Sequence, residues 1–178
     1  SPTIPKLIRD INGGWYDSRI GSLRNQRDQV TGFLIILRDI TDQRQAERDR
    51  KRMAAVIDQA HESILITDLT GNIIYANPSF SRISGFSNED VIGDSPRLLK
   101  SGHHDPNFYL GLWETISKGN IWQGRLENRK KNGDIFYEAA TIFPIKDSTG
   151  LVTNYAAVKR DITTEIESEQ AIQQFSDM

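Results

Sequence analysis

Cysteine is absent from the 178-residue chain. That removes disulfides, thiolate nucleophiles and cysteine metal sites together, and agrees with a cytoplasmic setting. Long apolar runs are missing too: none approaches the roughly 20 residues needed to cross a bilayer, so no membrane contact is expected within this stretch. Ser1-Pro2-Thr3-Ile4-Pro5 is not a signal peptide. Basic residues are not in excess, with 22 Lys and Arg against 24 Asp and Glu, a net charge of −2 and a pI near 5.9. This leaves no electrostatic footprint for nucleic acid. A phosphate-cradling Gly-rich loop, a nucleophile elbow and a His/Glu metal spacing are likewise missing. The expectation is therefore no enzyme, no catalytic residue and no metal site in these residues. With 37% hydrophobic residues the chain can bury one core of ordinary size, and a second full domain would be cramped. The start without Met and the end within a helical stretch lead to the expectation of a piece of a longer protein.

What is present is alternation. In Ile121-Trp122-Gln123-Gly124-Arg125-Leu126-Glu127-Asn128-Arg129, Trp122 and Leu126 share one parity, and Gln123, Arg125, Glu127 and Arg129 share the other. This is the period-two pattern of a half-buried strand. Gly124 shares the Trp122 parity and leaves room on that face. Lys130-Lys131-Asn132-Gly133 brings an Asn-Gly hairpin turn, and residues 135–145 resume as strand. Residues 152–158 predict another strand after the Asp147-Ser148-Thr149-Gly150 turn. Asp161-Ile162-Thr163 then stops it, with Thr163 placed to cap a helix beginning Thr164-Glu165. Further upstream, residues 78–84 read as a short helix ended by Gly85, residues 87–92 as one capped by Ser87, and residues 105–118 as one ended by Gly119.

Several of these motifs, in this order, resemble a PAS domain: Ile64-Leu65-Ile66-Thr67-Asp68, Gly71 to Pro78, Gly85-Phe86-Ser87, Val91-Ile92-Gly93, Trp122-Gln123-Gly124, Asn128-Arg129-Lys130-Lys131-Asn132-Gly133 and Asp161-Ile162-Thr163. The resemblance implies an α+β fold, a five-stranded antiparallel sheet with short helices arching over one face to enclose a ligand, flanked by N- and C-terminal linker helices. Light-oxygen-voltage domains, a flavin-binding branch, carry a photoreactive Cys where Pro96 stands here, so that photocycle is excluded. Asn128 matches the branch's first flavin-contacting Asn, whereas Glu138 replaces its second Asn and Lys159 its signalling Gln. The flavin-binding redox and aerotaxis-sensor branch resembles the chain more closely, through Leu112-Trp113, Trp122-Gln123-Gly124 and Asn128-Arg129-Lys130-Lys131. That resemblance implies that Trp113 and Trp122 flank a flavin ring and that Asn128 bonds its edge. The cofactor-contacting candidates are thus Trp113, Trp122, Asn128, Glu138 and Lys159, with FAD or FMN as the cofactor to test. Haem is disfavoured, because His103 and His104 read as exposed loop residues before the Asp105 cap and Pro106.

An internal repeat is legible at an offset of 161 − 39 = 122. It lays Asp39-Ile40-Thr41 on Asp161-Ile162-Thr163, Arg38 on Arg160, Val30 on Val152, Ile20 on Ile142 and Trp15 on Tyr137. Residues 1–41 are therefore expected to hold the C-terminal strands of a truncated preceding PAS-like domain, residues 42–63 a linker helix, 64–162 the PAS domain and 163–178 the start of an output helix. The apolar run Phe33-Leu34-Ile35-Ile36-Leu37 needs covering, and packing against a neighbouring copy or the complete domain is expected. The linker helix is expected from Thr41 to Ser63, with a thin apolar seam at Ala46, Met53, Val56, Ile57 and Ala60. A homodimer through that helix and the N-terminal hairpin follows from this reading. Asp161, Thr163 and Arg160 are the relay candidates, Asp161 acting by pairing with Arg160 or by holding backbone N–H groups near Thr163. The function expected is a sensory or relay module of a sensor histidine kinase or cyclic-di-GMP enzyme, with its kinase or cyclase domain elsewhere in the same chain. The alternative is a ligand-free dimerisation module.

Overall fold

The structure, a computed structural model, describes residues 6–176, so the reading of residues 1–5 and the last two residues, 177–178, of the expected output helix lie outside it. The chain forms two compact units that divide between Ala55 and Val56. In the first, β1 (Lys6–Arg9), β2 (Trp15–Arg24) and β3 (Val30–Asp39) make an antiparallel sheet in that order. Helix α1 (Thr41–Gln59) follows and buries none of its residues. Its end falls short of the expected Ser63, which begins a strand instead. The cause is Asn77, whose Nδ2 draws the carbonyls of Ile57 at 3.1 Å and Glu62 at 3.0 Å and so turns the chain out of the helix.

The second unit is built on an antiparallel five-stranded sheet. Its strands are β4 (Ser63–Thr67), β5 (Ile73–Ala76), β6 (Trp122–Arg129), β7 (Ile135–Lys146) and β8 (Val152–Asp161), ordered β5-β4-β8-β7-β6. Between β5 and β6 lie α2 (Pro78–Ser84), α3 (Asn88–Val91), a 3-10 turn (Pro96–Leu99) and α4 (Pro106–Ser117); α5 (Thr163–Ser176) follows β8. Local chemistry explains the short helices. Asn77 caps α2 ahead of Pro78, and Gly85 ends it at φ 78°; Ser87 and Asp90 form a reciprocal capping box on α3; Asp105 and Pro106 start α4. Leu65, Ile73, Ala76, Phe80, Val91 and Leu99 form the core between β4, β5 and the helices.

Asn77 is the joint of this layer. Fully buried, its Oδ1 accepts from Ile64 N at 2.9 Å and Phe80 N at 3.1 Å while Nδ2 makes the two bonds above, so every hydrogen-bonding site of the amide is used.

The repeat seen in the sequence is a repeat of geometry. Strands β2 and β3, moved by 122, coincide with residues 137–146 and 152–161 of β7 and β8. The register slips once in each pair, between Leu23 and Arg24 and between Ile145 and Lys146. A third strand belongs to the first copy as well, because β1 pairs with β2 as β6 pairs with β7. That strand is missed by the sequence reading, its four residues being too short for alternation to register.

Candidate ligand-binding site

A cavity of about 620 Å³ opens between the inner face of the five-stranded sheet and the helical layer. Its wall is largely apolar. Leu65 on β4, Leu99 on the 3-10 turn, Leu112, Trp113 and Ile116 on α4, Leu126 on β6, Ile142 on β7, and Tyr155 and Ala157 on β8 all line it. Trp113 is fixed from two sides. Its ring meets Tyr155 edge-on at 5.8 Å, and it lies so close to Gly71 that a Cβ there would come within 3.0 Å of it. Gly71 also needs its φ of 89° for the turn that Asp68 organises. The carboxyl of Asp68 is held down to about 2, first by the Thr70 hydroxyl and then by the Asn72 N–H.

One end of the cavity is polar. Asn128 on β6 and Lys159 on β8 line it, and both reach Glu138 on β7, which is buried behind them. Asn128 Nδ2 donates to Glu138 Oε2 at 2.6 Å, and Lys159 Nζ donates to the same oxygen at 2.8 Å. Residue exposures are 4%, 3% and 1% for Asn128, Lys159 and Glu138, so solvent does not screen the pair. Two hydroxyls of the wall, Thr67 Oγ1 and Tyr109 OH, are buried without a hydrogen-bond partner among the described residues. Such orphans are rare, because each costs on the order of 1–3 kcal/mol when nothing satisfies it.

The rim beside β6 is held by one backbone bridge and two side-chain hydrogen bonds. Lys100 bridges to Asn128, Arg129 Nη2 donates to Ser101 O at 2.9 Å, and Glu127 N donates to His104 Nε2 at 2.8 Å. Lys100 Nζ sits 3.6 Å over the Tyr109 ring. Burial, and then Arg97, lower the Lys100 pKa. Burial, and then the Glu127 charge, raise that of Tyr109.

Residues 61–164 match the family described as the PAS domain. The chain belongs to the PAS domain family. Among curated relatives, a nitrogen fixation regulatory protein of Klebsiella oxytoca is 33% identical over 117 residues, 66% of this chain and 24% of that protein. The aerotaxis receptor of Escherichia coli K12 is 28% identical over 99 residues, 56% of this chain and 19% of the receptor. This PAS chain thus spans about a quarter or less of the relatives it matches. A solved structure of an RNA-binding light-oxygen-voltage receptor has a TM-score of 0.65 at 15% identity, covering 99% of this chain and 82% of that one, a likeness of fold alone. The module is therefore a PAS sensory domain homologous to signal-transduction regulators, and the resemblance drawn from its motifs holds.

The PAS cavity brings together Trp113, Asn128 and Lys159 of the residues singled out by sequence. Glu138 stands behind the wall as their common acceptor. Trp122 is placed differently: its ring folds over Gly124, where a Cβ would meet it at 2.6 Å, and packs edge-on against Phe108 at 5.6 Å. It is not part of the cavity wall. The Trp-x-Gly pattern is thereby explained as a strand-face contact. His104 also departs from the exposed loop expected for it. It is half-buried, stacks on Phe108 at 4.1 Å and lines the cavity, while His103 is exposed and bonded to Glu127. Thr67 and Tyr109 were missed, since only tertiary placement leaves a hydroxyl unpartnered.

At the exit of the PAS sheet, Asp161 does not pair with Arg160, which reaches Glu165 at 2.6 Å instead. Asp161 Oδ1 accepts from Thr163 N at 2.9 Å, and Thr163 Oγ1 accepts from Tyr137 N at 3.0 Å. Ile162 N donates back to Tyr137 O at 2.8 Å. The start of α5 is thus bonded to β7, four residues beyond Lys159 on β8. Among the described residues, no cluster of His, Asp or Glu could hold a metal ion, and no helix is long and apolar enough to cross a membrane.

Proposed function

We propose that this is a ligand-responsive relay module whose cavity takes a flat heteroaromatic cofactor, a flavin first. The observation that carries this reading is a largely apolar cavity whose wall holds two hydroxyls, those of Thr67 and Tyr109, with no hydrogen-bond partner among the described residues, and whose polar end carries the amide of Asn128 and the ammonium of Lys159. That donor and acceptor set fits a tricyclic ring with a polar edge, and Trp113 offers it an aromatic wall. A bound flavin supplies visible absorbance and redox chemistry. The chain's own residues do the rest: Asn128 and Lys159 hold the polar edge, and the apolar wall excludes water. Differential binding to two arrangements of β8 shifts the population of states at the Thr163 joint.

In the longer protein this joint passes the signal through α5 to an output in the same polypeptide, a histidine kinase or cyclic-di-GMP enzyme. The module itself carries no catalytic residue, works in the cytoplasm, and pairs with a second copy through α1 and the N-terminal hairpin. The relationship to an aerotaxis receptor and to a nitrogen fixation regulator supports a sensory role of this kind. A second reading, a ligand-free dimerisation module, is supported by a groove on the opposite sheet face lined by Ala139, Thr141, Phe143 and Val158. A visible spectrum of the purified protein and of its heat-released supernatant separates the two. Flavin bands that vanish in Trp113→Ala with Asn128→Ala support the first, and a colourless protein supports the second.

A further inference from the structure

Lys159 is an ammonium with 3% residue exposure, and Glu138 takes one of its three donors. Its remaining N–H groups have no hydrogen-bond partner among the described residues, and the side chain lines the cavity. Asn128 is similarly arranged: Nδ2 is committed to Glu138, and Oδ1 has no hydrogen-bond partner among the described residues. Around them the wall carries Arg97 and Lys100 but no Asp or Glu among its described residues. A cavity of one charge sign with apolar walls focuses its field on whatever enters.

We infer that the polar end of this cavity is a charge-selecting subsite, in which Lys159 receives an anionic or electron-rich edge of an aromatic ligand in competition with Glu138. The inference rests on the cavity being a ligand site, as proposed above, but not on the ligand being a flavin. The competition follows from the geometry. Glu138 and Asn128 fix Lys159 in place, and a second negative group at the cavity side draws the ammonium away from the carboxylate. The ligand's charge is then felt directly on β8, two residues before Asp161. A cationic edge at the same place would meet only the remaining N–H donors of the ammonium, which offers no acceptor, and so be rejected.

The test uses the whole chain and two aromatic probes of matched size, 2-naphthoate and 2-naphthamide, with affinities from titration calorimetry. A charge-assisted hydrogen bond in a buried site predicts that the carboxylate binds about tenfold tighter than the amide. Lys159→Gln should abolish that preference, and Glu138→Gln, which removes the competitor, should enlarge it. If Lys159→Gln does not fold, Glu138→Tyr combined with Lys159→Leu carries the same test with an apolar pair. Equal affinities in the unaltered protein, a preference that survives loss of Lys159, or failure of both probes to bind would each overturn the inference. Flavin content is scored separately by absorbance. A colourless protein that still prefers the carboxylate removes the flavin reading alone, and a flavin-bearing protein whose released apo form is indifferent to charge removes this one alone.

Discussion

The two copies of the three-stranded motif, β1–β3 and β6–β8, share almost every backbone device and differ in what their inner faces do. Both hairpins enclose five residues, 10–14 and 130–134, closed by Asp10 N to Gly14 O at 2.9 Å and Lys130 N to Asp134 O at 2.8 Å. Both end on the same joint: Trp15 N donates to Thr41 Oγ1 at 2.9 Å in the first copy, as Tyr137 N does to Thr163 Oγ1 at 3.0 Å in the second. Asp39 and Asp161 each accept from the Thr N–H at 2.9 Å. The polar triad is what the first copy lacks. At an offset of 122, Tyr16 stands for Glu138 and Leu37 for Lys159. The second hairpin also runs two rows further toward its turn, and one of those rows is Asn128 opposite Phe136. Backbone geometry has thus been kept while the chemistry of the face has changed, as expected when hairpins are set by turns and caps and sites by side chains.

The largest way to break this comparison is Glu138→Ala. It strands the Lys159 ammonium in the interior and should cost about 3–5 kcal/mol, read as a lower urea midpoint followed by tryptophan fluorescence. Writing the first copy into the second, Glu138→Tyr with Lys159→Leu, should recover most of that loss, because an apolar pair needs no desolvation of charge. A midpoint as low as that of Glu138→Ala would show that the apolar pair cannot be housed. Asn77→Ala tests a feature of the helical layer. It removes four hydrogen bonds at a fully buried site and should cost about 3 kcal/mol.

The shared joint yields a smaller, matched pair. Thr41→Ala and Thr163→Ala should each cost about 1 kcal/mol and speed hydrogen exchange at the Trp15 and Tyr137 amides respectively. Unequal exchange would mean that the joints, though alike in geometry, carry different loads. The turns between the last two strands sharpen the comparison further, since Asp28 at φ 59° occupies the place of Gly150 at φ 87°. Gly150→Ala should cost about 1 kcal/mol in thermal unfolding.

The smallest effect is on pH. The Lys131 ammonium, from the β6–β7 turn, and then the Ser87 N–H hold the Asp90 carboxyl down to about 2. A depressed carboxylate contributes fully above the ordinary aspartate range and loses that contribution as pH falls through about 2. A carboxyl titration by NMR should show this, and Asp90→Asn should remove the matching shift at the Lys131 amide. The first copy, whose β1–β2 turn has no such bond to a helix among the described residues, should show no counterpart.

Much of the fold was legible because its signals are local. Alternation in residues 121–129, the Asn-Gly turn, the caps at Ser87 and Asp105 and the stop at Gly85 each act over a few residues. The repeat was legible for the same reason, as turn and cap residues recur at one spacing. The site was legible in part. Asn128, Lys159 and Trp113 stand out by type and position, and the structure lays all three on the cavity. Trp122, which the resemblance set against a flavin ring, lies outside the cavity wall, because at that end of the sheet Gly124 and Phe108 take its ring. Helix α1 was read four residues too long, because the residues that end it act through Asn77, about 20 positions away.

By itself, then, the sequence determined the elements, their order, the two matching hairpins and the charge of each candidate, all properties of short windows of residues. Only the tertiary structure decided which polar groups satisfy one another and which are left over. Glu138 binds Asn128 from ten positions away and Lys159 from 21, while the hydroxyls of Thr67 and Tyr109 find no partner among the described residues. The physical reason is that a hydrogen bond's worth depends on whether water can replace it, and burial is a property of the packed whole.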